Sequence, residues 1–173
     1  RSLMATHKGL LDRIQQRYGV PGAVVISIWG LETNYARSSG GAKSIARSLA
    51  TLAYDCRRAK FFENELVNAL RIIGRGDMSV AEMRGGWAGE IGPMQFLPSS
   101  YVKYAADFDG DGRRNLVSSV PDMLASTANY LKSYGWKPGA AWTPGAPNYG
   151  VIRQWNKAEV YARTIAVMSA KLA

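Results

Sequence analysis

A chain of 173 residues, of which 47% are apolar, is long enough to bury one hydrophobic core, and we expect one domain over residues 1–173. No apolar run approaches the roughly 18 residues that span a bilayer, which excludes a transmembrane segment in this sequence. The net charge of +9 favours an anionic partner, but the positive residues are scattered, and no basic stripe indicates nucleic acid. The single cysteine, Cys56, excludes an internal disulfide. The chain opens at Arg1 without the features of a targeting segment, so we expect any such segment to have been removed.

Apolar residues recur at helical spacing through most of the chain, and no segment alternates with the period of a strand. In chain order the predicted helices cover 7–18, 24–35, 44–55, 57–74, a short segment opened by a capping box of Ser79 and Glu82, 98–105, 120–134 and 158–172. Two loops rich in glycine and proline, 84–98 and 136–150, interrupt this pattern. The sequence therefore predicts an all-α domain whose irregular loops carry functional residues on a rigid scaffold.

Glu32 is the first candidate for chemistry, because it lies on a predicted helix whose same face carries Val25, Ile28 and Trp29. An apolar face hydrates a carboxylate poorly and disfavours its charged form. A carboxyl group held protonated near neutral pH is the general acid that glycoside cleavage requires. A capping role or an ion pair with an arginine is the alternative that position alone leaves open.

The loop at 84–98 supplies further groups that suit a carbohydrate ligand. Gln95 offers both a hydrogen-bond donor and an acceptor, and Trp87 offers an aromatic face. Glycines in the same loop let the backbone approach a ligand closely. A structural alternative is available here too, with the glycines turning the chain and the apolar residues packing in the core.

Four segments carry a resemblance to a known family: WGLETNY, RSLATLAYDCRRAKFF, GWAGEIGPMQFLPSSYVKYAADFDGDG and STANYLKSYGW. Together they resemble the lytic murein transglycosylase B family, glycoside hydrolase family 103, from about Gly19 to Leu172 and in the same order. The resemblance implies a lysozyme-like helical fold with a glycan cleft. It also implies cleavage of the MurNAc–GlcNAc β-1,4 bond of peptidoglycan without water, which leaves a 1,6-anhydro-muramyl end.

The resemblance assigns roles to individual residues, with Glu32 as the sole acid and base. The predicted substrate-binding residues, including the tryptophan noted above, are Gln95, Arg57, Arg58, Tyr130, Asn156 and Trp87. Two alternatives stay open: Asn156 fits an N-cap of the last helix, and the two arginines fit exposed surface charges. Family members often carry a serine at the position of Gly86, where it hydrogen-bonds the catalytic carboxyl group, so this chain lacks one orienting partner.

One carboxyl group suffices in the implied reaction, because the substrate supplies the nucleophile. Protonated Glu32 donates to the glycosidic oxygen, and its carboxylate then accepts the proton of the C6 hydroxyl that closes the anhydro ring. Glu90 would make hydrolysis credible if it faced Glu32, but the sequence favours a structural or solvated role for it. Three functions therefore stay open: a lytic transglycosylase, a hydrolytic muramidase of the same fold, and a non-catalytic peptidoglycan-binding module.

An acidic loop at 107–118, DFDGDGRRNLVS, has aspartates at the first, third and fifth positions of an EF-hand loop. Its twelfth position, where glutamate belongs, is Ser118. The family resemblance implies a structural calcium whose ligands are Asp107, Asp109, Asp111, the backbone carbonyl of Arg113, and Asp122. A metal-free turn held by aspartate side chains is the alternative.

The resemblance finally implies where the protein acts and on what. Peptidoglycan glycan strands are the expected partner, and catalysis needs no cofactor. The expected location is the periplasm or cell envelope of a bacterium, with a soluble form and an outer-membrane anchor in the full-length form as the two alternatives. We expect a monomer.

Overall fold

The structure, a computed structural model, describes residues 2–36, 42–55 and 57–173, so Cys56 lies outside the described residues. Within these ranges the chain is mainly helical, with one pair of two-residue strands. In chain order the elements are α1 (Ser2–Thr6), α2 (Lys8–Tyr18), α3 (Gly22–Thr33), β1 (Lys43–Ser44), α4 (Ile45–Tyr54), α5 (Ala59–Gly74), β2 (Arg84–Gly85), α6 (Pro98–Tyr104), α7 (Val120–Ser133), α8 (Tyr149–Trp155) and α9 (Glu159–Leu172). None of the helices in the described ranges is both long and apolar enough to cross a membrane.

Helix α3 is the centre of the hydrophobic core. All of its residues from 22 to 29 are buried, and it packs against α1, α2, α7 and α9. Its run of β-branched residues would suit a strand, but burial on every side stabilises a helix that satisfies its own backbone hydrogen bonds. Asn34 ends the helix in the left-handed conformation and donates its N–H to the carbonyl of Gly30. Glu32 therefore emerges in the last turn, at the edge of the core.

The segment 84–97, which begins with β2 and ends where α6 starts, is otherwise irregular, as its glycine content predicts, and hydrogen bonds fix it along its length. Ile91 forms antiparallel bridges with both Gly85 and Phe96, which fold the segment back on itself. Beyond its end, the buried Glu65 carboxylate of α5 accepts hydrogen bonds from the N–H (2.8 Å) and the hydroxyl (2.7 Å) of Ser99. The two bonds to Glu65 fix the start of α6, and with it the end of the segment, against α5. They form because a carboxylate satisfies the open N–H donors at a helix N-terminus.

The short helix predicted after Ser79 is wrong, although its capping box forms. The Ser79 N–H donates to Glu82 Oε2 (2.8 Å), and the Glu82 N–H donates to Ser79 Oγ (3.2 Å). The chain makes one turn there and then enters β2, where Gly85 pairs antiparallel with Lys43 of β1. The long-range strand pairing takes up the backbone groups that a second helical turn would have used.

The region before the last helix also differs from the prediction. Helix α8 was not predicted and begins at the end of the expected loop 136–150. Its start is set by the buried Asn148, whose side chain accepts from the Lys137 N–H (2.8 Å) and donates to the Ala140 carbonyl (2.9 Å). Asn156 does not cap the last helix, which was the alternative left open for it. It ends α8, and Ala158 holds the N-cap position of α9 without a side-chain cap.

We expect Gly85→Ala to destabilise the protein, because a Cβ at this position would collide with the backbone carbonyl oxygen of Glu90. Overpacking against backbone costs about 1–3 kcal/mol of unfolding free energy. Urea denaturation would measure the loss, and Gly74→Ala is the matched control, since nothing lies within 4 Å of a Cβ there. Equal stability of the two variants would contradict this account of the segment.

Candidate active site

Glu32 is partly buried, and its Oε1 atom accepts two hydrogen bonds. Trp155 Nε1 donates at 2.9 Å and Tyr161 Oη donates at 2.8 Å. The two donors come from the end of α8 and the start of α9, the helix that packs against α3. Because the described contacts fall on Oε1, the carboxyl group is fixed in orientation and its Oε2 atom is the one available to exchange a proton with a ligand.

Tyr161 acts at this site as a hydrogen-bond donor. Burial, followed by the negative charge of Glu32, raises the pKa of the Tyr161 hydroxyl above its ordinary value. The phenol therefore keeps its proton throughout the neutral range and can donate it to Glu32 Oε1. A donor of this kind stabilises the ionised carboxylate that forms once Glu32 has given up its own proton.

Glu32 lines a cleft of about 460 Å³. The other residues of the cleft come from the segment 84–97, from α6 and α7, and from the junction of α8 and α9: they are Glu90, Gln95, Phe96, Leu97, Ser100, Tyr130, Gln154, Trp155 and Asn156. The structure thus brings Gln95, Tyr130 and Asn156, three of the predicted ligand-binding residues, into one cavity with Glu32.

Aromatic rings form one wall of the cleft. The ring of Trp155 packs edge-on against Tyr130 (centroids 4.9 Å apart) and against Phe96 (5.2 Å). The Tyr130 hydroxyl donates to the backbone carbonyl of Gln154 at 2.7 Å. Such edge-to-face contacts hold each ring in one orientation. The indole N–H that reaches Glu32 is therefore fixed by its neighbours before any ligand binds.

Gln95 adopts an unusual backbone conformation at the floor of the cleft. Its φ of 54° lies in the left-handed region, which costs a non-glycine residue about 1–3 kcal/mol. Its side-chain Nε2 donates to the Gly92 carbonyl at 2.8 Å, and the Thr33 hydroxyl donates to the Pro93 carbonyl at 2.9 Å. Since Thr33 follows Glu32 directly, this second bond ties the loop to the helix that carries the carboxyl group.

Arg57, Arg58 and Trp87 do not line the cavity of Glu32. They share a separate cavity of about 240 Å³, and the Trp87 side chain is largely exposed. Arg57 pairs with Asp55 through two side-chain hydrogen bonds of 3.1 and 2.9 Å, which hold the pKa of the Asp55 carboxyl group low, at about 2. The Arg58 guanidinium lies over the ring of Phe61 at 4.4 Å. Ligand binding by these three residues stays a prediction.

Trp155 and Tyr161, which contact Glu32, were not predicted from the sequence. Glu90, for which the sequence favoured a structural or solvated role, lines the cleft. Tyr161 carried one usable signal, because it precedes the buried Ile165 by four residues on the apolar face of α9. Trp155 carried no comparable signal. Their pairing with a carboxyl group more than a hundred positions away follows only from the packing of α3 against α9.

Three of the five predicted metal ligands lie together. Asp107, Asp109 and Asp122 each place a carboxylate oxygen within 4.8 Å of the other two. Asp122 is fully buried, and it accepts hydrogen bonds from the N–H groups of Phe108 (2.7 Å) and Asn115 (2.8 Å). Burial raises the pKa of the Asp122 carboxyl group, against the effect of these N–H donors. Clustered carboxylates in a turn of this kind fit a hard cation such as calcium.

Of the other two predicted ligands, the Asp111 carboxylate is not in that group, and the ligand expected from Arg113 is its backbone carbonyl. Asp111 Oδ1 accepts the N–H of Arg113 at 2.8 Å. The Arg113 guanidinium donates to the backbone carbonyl of Asp77 (3.1 Å) and to Glu82 Oε2 (3.1 Å), so its side chain ties the acidic loop to the turn after α5. Both residues stay predicted ligands.

This chain is similar to known proteins in both sequence and fold. Residues 1–146 match the sequence family described as the transglycosylase SLT domain. The chain is 39% identical over 150 residues to the membrane-bound lytic murein transglycosylase B of Escherichia coli strain K12. That alignment covers 82% of this chain and 41% of the relative, so the chain spans about two fifths of the length of this curated relative.

The fold of this chain is also similar to that of solved lytic transglycosylase structures. SltB3 from Pseudomonas aeruginosa, crystallised in complex with NAG-anhNAM-pentapeptide, superposes with a TM-score of 0.93 at 31% identity, covering 98% of this chain and 61% of that one. The Escherichia coli lytic transglycosylase Slt35, in complex with calcium, superposes with a TM-score of 0.86 at 28% identity, covering 96% of this chain and 70% of that one. Both agree with the predicted lysozyme-like helical fold.

Proposed function

This chain belongs to the transglycosylase SLT domain family, and on that premise we propose that it is a peptidoglycan lytic transglycosylase with residues 1–173 as one catalytic domain. It cleaves the MurNAc–GlcNAc β-1,4 bond and leaves a 1,6-anhydro-muramyl end. The observation that carries the proposal is the Glu32 carboxyl group, held by Trp155 and Tyr161 on the wall of a cleft. The anhydro-sugar bound by the similar SltB3 supports the same product here.

The first step uses Glu32 as the acid. Its Oε2 donates a proton to the glycosidic oxygen, the bond from that oxygen to C1 of MurNAc breaks, and GlcNAc leaves with a free 4-hydroxyl. The 2-acetamido group of MurNAc stabilises the positive charge that develops at C1. The carboxylate left behind is stabilised by the hydrogen bonds from Trp155 and Tyr161, since donors placed before the reaction need no reorganisation.

The second step uses the same group as the base. Glu32 Oε2 accepts the proton of the C6 hydroxyl, whose oxygen bonds to C1 and closes the 1,6-anhydro ring. The nucleophile is part of the substrate, so correct positioning replaces a bimolecular encounter. Because the Glu32 carboxyl group is returned to its starting form, one residue completes the cycle without a metal or organic cofactor.

The remaining cleft residues bind the glycan. Gln95 and Asn156 offer amide groups to sugar hydroxyl and acetamido groups, and Tyr130 offers an aromatic edge. Arg57 and Arg58, in their separate cavity, offer cations to the lactyl and peptide carboxylates of muramyl residues. Trp87 lines the same cavity as the two arginines and is exposed enough to stack on a sugar ring or a peptide stem.

We place the protein in the bacterial cell envelope, at the periplasmic face where peptidoglycan lies. The support is the similarity to a membrane-bound lytic transglycosylase together with the substrate itself. The net charge of +9 favours association with an anionic wall polymer. A soluble form and a lipid-anchored form remain the alternatives, and the monomeric state stays a prediction.

A structural calcium ion completes the proposal. Asp107, Asp109 and Asp122 would supply carboxylate ligands, with Asp111 and the backbone carbonyl of Arg113 as the further predicted ligands. The support is the clustering of three carboxylates around one point and the calcium held by the similar Slt35. The ion would neutralise their mutual repulsion and fix the acidic loop against the start of α7.

We expect Glu32→Gln to abolish the release of anhydro-muropeptides from purified sacculi, as measured by mass spectrometry. The amide keeps the shape of the side chain but removes the proton that is transferred, and loss of a general acid costs roughly 10²–10⁴-fold in rate. Glu63→Gln, at an exposed acid on α5, is the control that should keep wild-type activity. Full activity in Glu32→Gln would remove Glu32 from the mechanism.

We expect Tyr161→Phe to slow the clearing of sacculi by roughly 10–100-fold, the worth of one hydrogen bond to a charged group. The ring volume is kept, so the melting temperature should change little. Tyr149→Phe is the matched control, because Tyr149 Oη donates to Glu159 Oε1 at 2.8 Å and Tyr149 does not line the cleft. Equal activity of the two variants would show that the Tyr161 hydroxyl does not support Glu32.

We expect calcium to raise the melting temperature by about 3–6 °C at a concentration tenfold above its Kd, since a ligand that binds only the folded state stabilises it. Asp109→Asn should abolish the increase. Asp12→Asn, at an acid on α2 that pairs with Lys8, should keep it. Differential scanning calorimetry with calcium, magnesium or a chelator would measure the effect, and an unchanged wild-type melting temperature in millimolar calcium would contradict the metal site.

A further inference from the structure

The cleft of Glu32 holds a second carboxyl group, that of Glu90. Glu32 and Glu90 both line this cavity, which has a volume of about 460 Å³. Two carboxyl groups in one cleft are what hydrolysis requires, because one protonates the leaving oxygen and the other activates water. The single-carboxylate reaction described above gives Glu90 no part.

The position of Glu90 depends on the absence of a side chain at Gly86. A Cβ at residue 86 would collide with Glu90 Oε2, and it would lie 3.1 Å from Gln95 Oε1. The Glu90 carboxylate therefore fills the space that a side chain at 86 would take, beside the amide oxygen of Gln95. Gly86 lacks the serine side chain that was expected to hydrogen-bond Glu32, and the same lack of a side chain makes room for the Glu90 carboxylate.

The surroundings of Glu90 leave its carboxylate able to act as a base. Among the residues that the structure describes, its side chain accepts one hydrogen bond, from the Ala88 N–H at 3.1 Å, and forms no ion pair with a lysine or arginine.

We propose that Glu90 directs a share of the turnovers at this cleft to water, so that the protein releases reducing as well as anhydro-muramyl ends. The inference rests on the proposed function, because both products share the first step. Glu32 protonates the glycosidic oxygen and the C1–O bond breaks. A water oxygen then bonds to C1 while Glu90 accepts a proton of that water, and solvent returns a proton to Glu32 and removes one from Glu90.

The test is the ratio of reducing to anhydro-muropeptides in digests of purified sacculi, measured by mass spectrometry, since the two products differ by one water. We expect wild-type protein to give both products and Glu90→Gln to lower the ratio by roughly tenfold or more. Gly86→Ala should lower the ratio in the same way, because its Cβ displaces the Glu90 carboxylate without removing it. Glu63→Gln is the control for loss of an acid, and Glu32→Gln protein purified in parallel measures any contaminating hydrolase.

The other possible results separate the role of Glu90 from the proposed function. A wild-type digest with anhydro ends alone, or a ratio unchanged in Glu90→Gln, would overturn the role of Glu90 and leave the proposed function standing. Loss of both products in Glu90→Gln and Gly86→Ala, with melting temperatures preserved, would place Glu90 in the shared first step and overturn its assignment to water. A wild-type digest no different from that of Glu32→Gln would instead contradict the proposed function itself.

Discussion

The hydrogen bonds from Trp155 and Tyr161 to a single oxygen of Glu32 are the constraint on which the site depends. They join residues separated by 123 and 129 positions, so they form only when α3 and α9 are packed and α8 has ended at the correct residue. A carboxyl group alone would sample several rotamers. Held by two donors at one oxygen, it keeps one orientation in the cleft, and this is the pre-organisation that the proposed reaction requires.

The cleft floor gains its rigidity from contacts outside the site. Thr33 bonds the loop to the end of α3, and the buried Glu65 carboxylate holds the start of α6 just beyond the loop. The strained backbone of Gln95 persists because these neighbours determine the path of the chain on both sides. A loop fixed in this way can present the Gln95 amide to a ligand with little loss of entropy on binding.

The acidic loop is linked to the cleft through α7. The three clustered carboxylates lie at the start of that helix, where the Asp122 side chain gathers backbone N–H groups from the loop. Tyr130 lies two turns further along α7 and lines the cleft. An ion bound in the loop would therefore influence the cleft only by fixing the position of a helix.

The sequence alone determined the helical class and most helix bounds, because apolar periodicity is a local property. It also predicted the chemistry of Glu32, because the cost of placing an acid on an apolar face is local too. Motifs that resemble a known family predicted roles for Gln95, Tyr130 and Asn156, and the structure places all three in the cavity of Glu32. Local signals misled where long-range pairing competed with them, as at the capping box of Ser79 and Glu82, which forms but opens no helix.

Only the tertiary structure decided which groups meet. Trp155 and Tyr161 donate hydrogen bonds to Glu32. Arg57 and Arg58 line a separate cavity, and Glu90 lies in the cleft beside Gly86. These outcomes depend on how helices distant in sequence pack and on how much space a missing side chain leaves. The spacing of residues along the chain does not give the packing of distant helices or the space beside a glycine, because both are properties of the packed core as a whole.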